Sequence, residues 1–335
     1  MVPVAVAILA VLLANLALVV LIAGRRMRAR RYARRDGRLL AQLRRPALEL
    51  VDGDGAADPP VLDGQEARVF VEILSHYGRQ VRGEPHDRIV AYFETHGVVD
   101  EQLRRLGHQR AWVRATAAYT LGDTGAPRAA PALVACLDDR SPDVRAAACR
   151  SLGRLGAIEA IEPIVAAGVS RRVPGAVVRL ALFDVGPPAV TPLVALCGHD
   201  EPRVRAAAVQ LVGLLGDATS GTAIDGLLAD PEASVRAAAA AALGRLGAGH
   251  ARDDLVVALG DGVAEVRTEA ARALGQIGGR TACGALVGVA RDDAFEPAHA
   301  AAEALAVLDP ALVSRLAGEP GAGPHLREAA GRVAL

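Results

Sequence analysis

A single pattern recurs at a regular interval along most of this 335-residue chain and constrains its fold more than any other feature. Each copy has an acidic turn, then Val-Arg, a run of alanines, and Leu-Gly-x-Leu-Gly. The clearest copies are AWVRATAAYTLGDTG from Ala111, DVRAAACRSLGRLG from Asp143, RVRAAAVQLVGLLG from Arg203, SVRAAAAAALGRLG from Ser234 and EVRTEAARALGQIG from Glu265. Such self-similarity at a fixed period predicts a repeat architecture.

The arginine of Val-Arg marks the period. In the clear copies it stands at Arg114, Arg145, Arg205, Arg236 and Arg267. These positions are evenly spaced except between Arg145 and Arg205, where the gap is nearly two periods. A degenerate copy with Arg179 fills that gap, and weaker copies follow around His299 and Arg327. The sequence therefore predicts eight units.

Between successive Val-Arg segments lies a second amphipathic stretch, such as APRAAPALVACL, ATSGTAIDGLLA or HARDDLVVALG. Gly and Pro separate the two stretches, so each unit is predicted to be a helix, a tight turn and a helix. Hydrophobic residues make up 52% of the chain but aromatic residues only 3%, as expected of closely packed helices rich in Ala, Leu and Val. Stacked hairpins share one continuous core, which predicts an all-α solenoid.

The units resemble HEAT repeats, in particular the short, Ala-rich bacterial type also seen in phycobilin-lyase-like proteins. The signature D-x-x-V-R-x-x-A-x-x-A-L-G-x-L-G stands almost intact from about residue 107 onward. The resemblance implies a right-handed α-solenoid over residues 107–335 that binds a partner protein. HEAT proteins with one amino-terminal span resemble accessory factors of envelope or polysaccharide synthesis, which suggests a membrane glycosyltransferase as the kind of partner. A HEAT-type lyase, or another enzyme that acts on a protein-bound ligand, is the alternative function.

The resemblance also implies a structural role for the arginines, which bond acidic turn residues of their own or the adjacent unit. This ladder is expected to comprise Arg114, Arg145, Arg179, Arg205, Arg236 and Arg267. Its acidic partners are expected at Asp138, Asp200, Asp230 and Asp261. A guanidinium suits such bridging because it is always charged and has five N–H donors. A row of ligand-binding arginines remains the other interpretation.

Helical spacing indicates which residues of the Val-Arg helices face outward. The Val, the Ala three and four later and the Leu eight later share a buried stripe, so residues six and ten after Val lie opposite. These outward positions are Tyr119, Arg150, Arg154, Gln210, Arg245, Arg272 and Gln276. If the Val-Arg helices line the concave face, as in HEAT arrays generally, this row is the candidate partner surface. A merely solvated face is the alternative.

The amino terminus is predicted to be a membrane-spanning helix over residues 1–24. This segment has no charged residue and is apolar apart from Asn15. As a helix it would be roughly 30–35 Å long, which matches a bilayer core. A cleaved signal peptide fits less well because its basic residues would precede the apolar run.

The basic residues instead follow the span, in a juxtamembrane segment predicted over residues 25–45. They include Arg25, Arg26, Arg28, Arg30, Arg31, Arg34 and Arg35. Arginines beside a span stay on the cytoplasmic side and attract anionic lipid. We therefore expect a single-pass inner-membrane protein with its amino terminus outside and its solenoid in the cytoplasm.

Two segments separate this region from the repeats. Residues 46–64 are rich in Asp, Gly and Pro, have no evident helical period and are predicted to be a flexible linker. Residues 65–106 are predicted to form three helices that cap the solenoid. They contain Phe70, Tyr77, Tyr92 and Phe93, which belong either to the core of that cap or to an aromatic docking site.

Charge argues against extended nucleic-acid binding. The chain has 38 basic and 38 acidic residues, but residues 1–46 hold ten arginines and only one acid, Asp36. The remainder therefore has 28 arginines against 37 acids. A body with that excess of negative charge repels a polyphosphate.

No catalytic, cofactor or metal motif is evident. The cysteines Cys136, Cys149, Cys197 and Cys283 stand far apart inside apolar helical patterns, so we expect them in the core. None of the eight histidines occurs in H-E-x-x-H or C-x-x-H form. The many glycines are interpreted as helix caps. The sequence thus predicts a binding protein that is not an enzyme and needs neither a cofactor nor a metal.

Overall fold

The computed structural model describes residues 38–53, 62, 64–292 and 294–333. Over these residues the chain is helical and contains no strand. It forms two compact units, one of residues 38–101 with 123–126 and one of residues 102–122 with 127–333. The predicted span and the arginines from Arg25 to Arg35 lie outside the described residues.

Within the described ranges, no single helix has the length and hydropathy required to cross a bilayer. One pair of consecutive segments, Gly175–Val185 and Pro187–Leu196, meets the criterion jointly but is bent by 112°.

The first unit contains α1 (38–52), α2 (Gly64–Gly78) and α3 (Glu84–Thr95), and α4 (Val98–Leu106) runs from it into the second unit. Phe70 and Phe93 are fully buried, and Tyr92 packs edge-on against Phe70 with ring centroids 5.2 Å apart. These three aromatic rings form the core of the unit. The alternative of an aromatic docking site is therefore wrong for them.

Helix α1 corrects the first part of the prediction that residues 46–64 form a linker without helical period, because residues 46–52 are helical, whereas residues 54–61 lie outside the described residues. Leu43, Ala47 and Val51 recur every four residues and are all buried, so they form the apolar stripe of a helix that continues to residue 52. The guanidinium of Arg88 on α3 donates hydrogen bonds of 2.6 and 3.1 Å to the carbonyl of Val51. The end of α1 is thereby attached to the unit.

The second unit is a stack of helical hairpins. Its helices are α5 (Ala111–Thr124), α6 (Ala130–Ala135), α7 (Pro142–Arg154), α8 (Ile161–Val169), α9 (Gly175–Val185), α10 (Val190–Leu196), α11 (Pro202–Leu215), α12 (Ala233–Leu246), α13 (Arg252–Ala258), α14 (Ala264–Ile277), α15 (Cys283–Asp292), α16 (Phe295–Leu308), α17 (Pro310–Ala317) and α18 (Pro324–Val333). The first helices of the units are α5, α7, α9, α11, α12, α14 and α16. In the described chain the eighth predicted unit is a single helix, α18.

The first helices of neighbouring units pack directly on one another through alanine. α7 packs on α9, while α11, α12, α14 and α16 form an unbroken series. In α12 the alanines from Ala237 to Ala240 are all buried, as are Ala270, Ala271 and Ala273 in α14. Small side chains let the helix axes approach closely, which explains the Ala-rich composition.

The first glycine of each Leu-Gly-x-Leu-Gly motif lies inside its helix, not at its end. A Cβ added to Gly153 of α7 would stand 2.6 Å from the Cα of Ala181 on α9 and closer still to the carbonyl oxygen of Ala181. The equivalent positions, where an added Cβ would lie 2.5 to 3.1 Å from its nearest neighbour, are Gly122, Gly213, Gly244 and Gly275. The interpretation of all these glycines as caps is therefore wrong, because this set serves close helix contact.

The second glycine of the motif does end its helix in several units. Gly247 follows α12 in the left-handed conformation with φ 64°, which an L side chain adopts only with strain.

One predicted second helix differs from the prediction, because ATSGTAIDGLLA forms two 3₁₀ segments, Ala218–Ala223 and Asp225–Ala229. Thr, Ser and Gly there favour short turns over an α-helix.

Candidate functional site

A ladder of charged hydrogen bonds runs along the turns of the second unit. The guanidinium of Arg114 binds the Asp139 carboxylate with two hydrogen bonds, of 2.7 and 2.8 Å. Its remaining nitrogen donates to the carbonyls of His108 and Gln109, both at 2.9 Å. The Arg114 residue is only 6% exposed, so this pair is protected from solvent. Bidentate, shielded geometry of this kind is the strong form of an ion pair.

The same geometry recurs in two later units, with the same sequence separation between arginine and aspartate. Arg205 binds Asp230 with two bonds of 2.9 Å, and Arg236 binds Asp261 with bonds of 2.7 and 3.0 Å. Within each of these units the arginine of the first helix therefore bonds the aspartate that ends the second.

Each aspartate also connects its unit to the next one. The main-chain carbonyls of Asp139, Asp230 and Asp261 accept hydrogen bonds of 2.8 to 2.9 Å from the arginine six residues later, which are Arg145, Arg236 and Arg267. Their Oδ1 atoms accept from the main-chain N–H two residues later, at the start of the next helix. One aspartate thus contacts two arginines and the main-chain N–H of the residue that precedes the next helix, as in an Asx turn.

Two of the expected acidic partners need correction. Arg114 binds Asp139 and not Asp138, whose carboxylate instead pairs with Arg172 at the surface. Asp200 contributes only its main-chain carbonyl, to Arg205 at 3.0 Å. The main-chain carbonyl that an arginine contacts lies six residues before it in both turns. This residue is Asp139 for Arg145 and His199 for Arg205.

The ladder is interrupted at the degenerate unit. Arg145 donates to the main-chain carbonyls of Asp139 and Arg172. Arg179 is exposed and makes no ion pair or hydrogen bond with any described residue. The spacing from Arg145 to Arg179 is longer than the regular period and contains Arg171 at φ 58°, while the spacing from Arg179 to Arg205 is shorter. Because the turn lengths differ, no aspartate lies six residues before Arg179 or Arg205. Those two positions are Val173 and His199.

The ladder lowers the pKa of its carboxyl groups. Hydrogen bonds from Arg114 hold the pKa of Asp139 below its ordinary 3.8, and Arg236 does the same to Asp261. Burial works to raise the pKa of Asp230, but hydrogen bonds from Arg205 and from the N–H of Glu232 outweigh it, so that this pKa is also lowered. All three carboxylates are therefore ionised at neutral pH.

This depression predicts a pH dependence of stability. A carboxyl group with a lowered folded pKa stabilises fully above its unfolded pKa of about 3.9 and loses that contribution as pH falls through the folded value. We expect the Asp261→Asn variant to be less stable than the wild type at about pH 7, and this difference to shrink toward about pH 3. Urea unfolding of the full-length chain in detergent at several pH values measures it. A difference that stays constant over that range would contradict the ladder's role.

A cleft lies where the ladder is interrupted, between α9 and α11. Helix α9 packs on α7 and α8, and α11 packs on α8 and α10, so α9 and α11 do not pack closely on each other. This α9–α11 cleft has a volume of about 490 Å³ and extends along α12 to α14. Its apolar lining comes from Val165, Val169, Val178, Leu211 and Leu214, and its polar lining from Arg179, Gln210, Ser234, Arg245, Glu265 and Glu269. Sequence reasoning missed this cleft, although the unequal gaps around Arg179 were a signal of it.

The predicted partner surface is only partly assembled around this cleft. Gln210 and Arg245 line it, and both are exposed. Arg245, like Arg179, has no ion-pair or hydrogen-bond partner among the described residues. Arg150, Arg272 and Gln276 are exposed but do not line the cleft, and Arg272 pairs with Glu269 at 2.6 Å.

Tyr119 and Arg154, also in the predicted row, contact each other. The guanidinium carbon of Arg154 lies 4.1 Å from the centroid of the Tyr119 ring, and its Nη2 donates a 2.9 Å hydrogen bond to the Tyr119 carbonyl. Tyr119 remains 43% exposed. The pair therefore connects two neighbouring units, while Tyr119 stays partly exposed to solvent.

The cysteines are core residues, as expected. All four are buried and free. Burial raises the pKa of Cys149 to about 12 and that of Cys197 to about 11. The uncharged thiols are poor nucleophiles at neutral pH.

Stacked hairpins with an Arg–Asp ladder place this chain in the class of helical repeat proteins. A family model described as HEAT repeats matches residues 99–181 and 222–306, which is just over half of the chain. The chain belongs to the HEAT-repeat family, so the expected resemblance to HEAT repeats is confirmed.

Several solved structures align with most of this chain. Human deoxyhypusine hydroxylase is 23% identical over 80% of this chain and 96% of its own, with a TM-score of 0.32. The complex of CpcE and CpcF of phycocyanin lyase from Nostoc sp. is 23% identical over 70% and 92%, with a TM-score of 0.32. An engineered protein is 20% identical over 86% and 87%, with a TM-score of 0.38. No curated protein matches the sequence.

Proposed function

We propose that this HEAT-repeat chain is a scaffold without catalytic activity, which binds a segment of a partner protein in the α9–α11 cleft. The observation that carries the proposal is the gap between α9 and α11, where two arginines of the array lack partners among the described residues. Elsewhere in the array, ladder arginines such as Arg114, Arg205 and Arg236 are paired with aspartates.

The chemistry of the cleft suits a protein segment better than a polyanion. Arg179 and Arg245 can pair with carboxylates of a partner, while Val169, Val178 and Leu214 offer apolar contact. Glu265 and Glu269 line the same cleft and would repel a phosphate backbone. The expected ligand is a segment with acidic and apolar side chains.

The second part of the proposal is tethering to the inner membrane. Residues 1–24 would span the bilayer, and Arg25 to Arg35 would keep the array on the cytoplasmic face. Tethering raises the effective concentration of the array toward a membrane-bound partner, so even a weak contact in the cleft would suffice. A membrane glycosyltransferase or a similar assembly is the kind of partner that we propose.

Site-specific photo-crosslinking tests the cleft. We expect a photoreactive residue at Gln210 in the full-length chain to capture one protein in the native host, and Arg179→Glu to reduce that capture at least about tenfold through charge repulsion. The matched control is Arg203→Glu, because Arg203 is an exposed arginine on α11 that does not line the cleft. Equal loss in both variants, or capture of a small-molecule adduct in place of a protein, would overturn the proposal.

A chain lacking residues 1–24 tests the tether separately. We expect the same photo-crosslinking to recover much less of the partner from cells that express this shorter chain. Undiminished capture would refute tethering and leave the cleft proposal standing. Loss of capture that is restored by an unrelated membrane anchor would show that the segment acts by localisation.

A further inference from the structure

The last two long helices of the array bring three metal-ligand side chains together. His299 lies on α16, and His325 and Glu328 lie three residues apart on one face of α18. One donor atom from each of the three side chains lies within 4.8 Å of the others. The two histidines are far apart in sequence, with all of α17 between them, and no short motif connects them.

His325 is largely buried and His299 is partly buried, and both imidazoles are short of hydrogen-bond partners. The Nδ1 atom of His299 is buried without a partner. His325 is 9% exposed and makes no hydrogen bond with the residues the structure describes. Its ring packs edge-on against Phe295, with centroids 4.6 Å apart, and lies 5.6 Å from the ring of His299. An unsatisfied buried polar nitrogen such as Nδ1 of His299 is costly, and a bound ligand would satisfy it.

The surrounding groups resemble the support that metal ligands receive. Nε2 of His299 lies 3.4 Å from the Glu303 carboxylate, and a ligand histidine commonly holds such a carboxylate with its second nitrogen. Arg332 bonds Glu303 at 2.5 Å and Glu328 at 2.6 Å. It contacts only Oε1 of Glu328, which leaves the other carboxylate oxygen for a metal.

We propose that His299, His325 and Glu328 bind one divalent transition-metal ion, with Zn²⁺ as the best fit. Two imidazoles and one carboxylate form a donor set that suits Zn²⁺ and disfavours Mg²⁺ and Ca²⁺, which prefer oxygen. Donor atoms around tetrahedral Zn²⁺ lie about 3.3 Å apart, so the three must draw together by about 1.5 Å at most. Glu328 is exposed and can make most of that movement.

The position of the site suggests what the ion does. α18 is the last helix of the described array, and it packs on α16 and α17. An ion shared by α16 and α18 holds that end of the array together.

Metal binding is tested with the full-length chain, purified in detergent without a polyhistidine tag and stripped with a chelator. We expect competition against a chromophoric chelator to show one Zn²⁺ per chain. The variants Glu328→Gln and His299→Asn should each lower the affinity at least about tenfold. Zn²⁺ should also slow hydrogen exchange in α18.

His250→Asn is the control variant, since His250 pairs with a carboxylate at 2.9 Å, that of Asp225, on other elements of the array. It should leave the affinity unchanged. Absence of stoichiometric binding, or an affinity that Glu328→Gln and His250→Asn alter equally, would overturn the assignment. The two proposals are independent, because the metal assay does not involve the α9–α11 cleft.

Discussion

Replacing Gly153 with alanine is expected to destabilise the array by about 3 kcal/mol, because the new methyl group has no room. It would stand 2.6 Å from the Cα of Ala181, and backbone atoms cannot rotate away as a flexible side chain can. Helices α7 and α9 would have to separate. Urea unfolding of the full-length chain measures the loss, and faster hydrogen exchange should appear first in these two helices.

Gly288→Ala is the matched control for that substitution. Gly288 lies within α15, and a Cβ added there meets no atom within 4 Å. Alanine should therefore stabilise the chain by about 0.5–1 kcal/mol, through its higher helix propensity alone. If both variants changed stability in the same direction, close packing would not be the reason for the glycine at position 153.

Removing the carboxylate of Asp139 by substitution with alanine is expected to cost about 3 kcal/mol, since it leaves the Arg114 guanidinium buried without its counter-ion. The same change removes the hydrogen bond from the Ser141 N–H at the start of α7. Thermal and urea unfolding of the full-length chain measure the loss.

Asp138→Ala provides the comparison, because the two aspartates are neighbours in one turn. The side chain of Asp138 is 67% exposed and that of Arg172, with which it pairs, 48%. Exposed pairs of this kind contribute about 0–1 kcal/mol. Equal effects of the two substitutions would mean that Arg114 exchanges between the two carboxylates, contrary to the observed ladder.

Periodicity predicts the repeat helices well, because every unit must bury the same stripe. The Val-Arg segments form the first helices α5, α7, α9, α11, α12 and α14, each beginning within a few residues of its Val. Spacing does not decide between Asp138 and Asp139, which are adjacent in sequence. The choice depends on which carboxylate the turn directs at Arg114, and that is fixed by packing between the two helices.

Other features are hidden from the sequence because they depend on contacts between distant segments. Helix α1 is missed because the charged residues around Leu43, Ala47 and Val51 mask their four-residue spacing. The α9–α11 cleft follows from two compensating changes in turn length, which leave the overall period almost intact. His299 and His325 meet only because α16 packs on α18.

The shared aspartates give the array an uneven mechanical character. Asp230 and Asp261 each bond an arginine of their own unit and an arginine of the next, so the units from Arg205 to Arg267 are connected in series. A pulling force on one of these units is therefore transmitted to the next through these hydrogen bonds. No such bond crosses from Arg179 to a described aspartate. When the chain is pulled from its two ends, α9 and α10 should therefore unfold first, while the units from Arg205 to Arg267 stay folded.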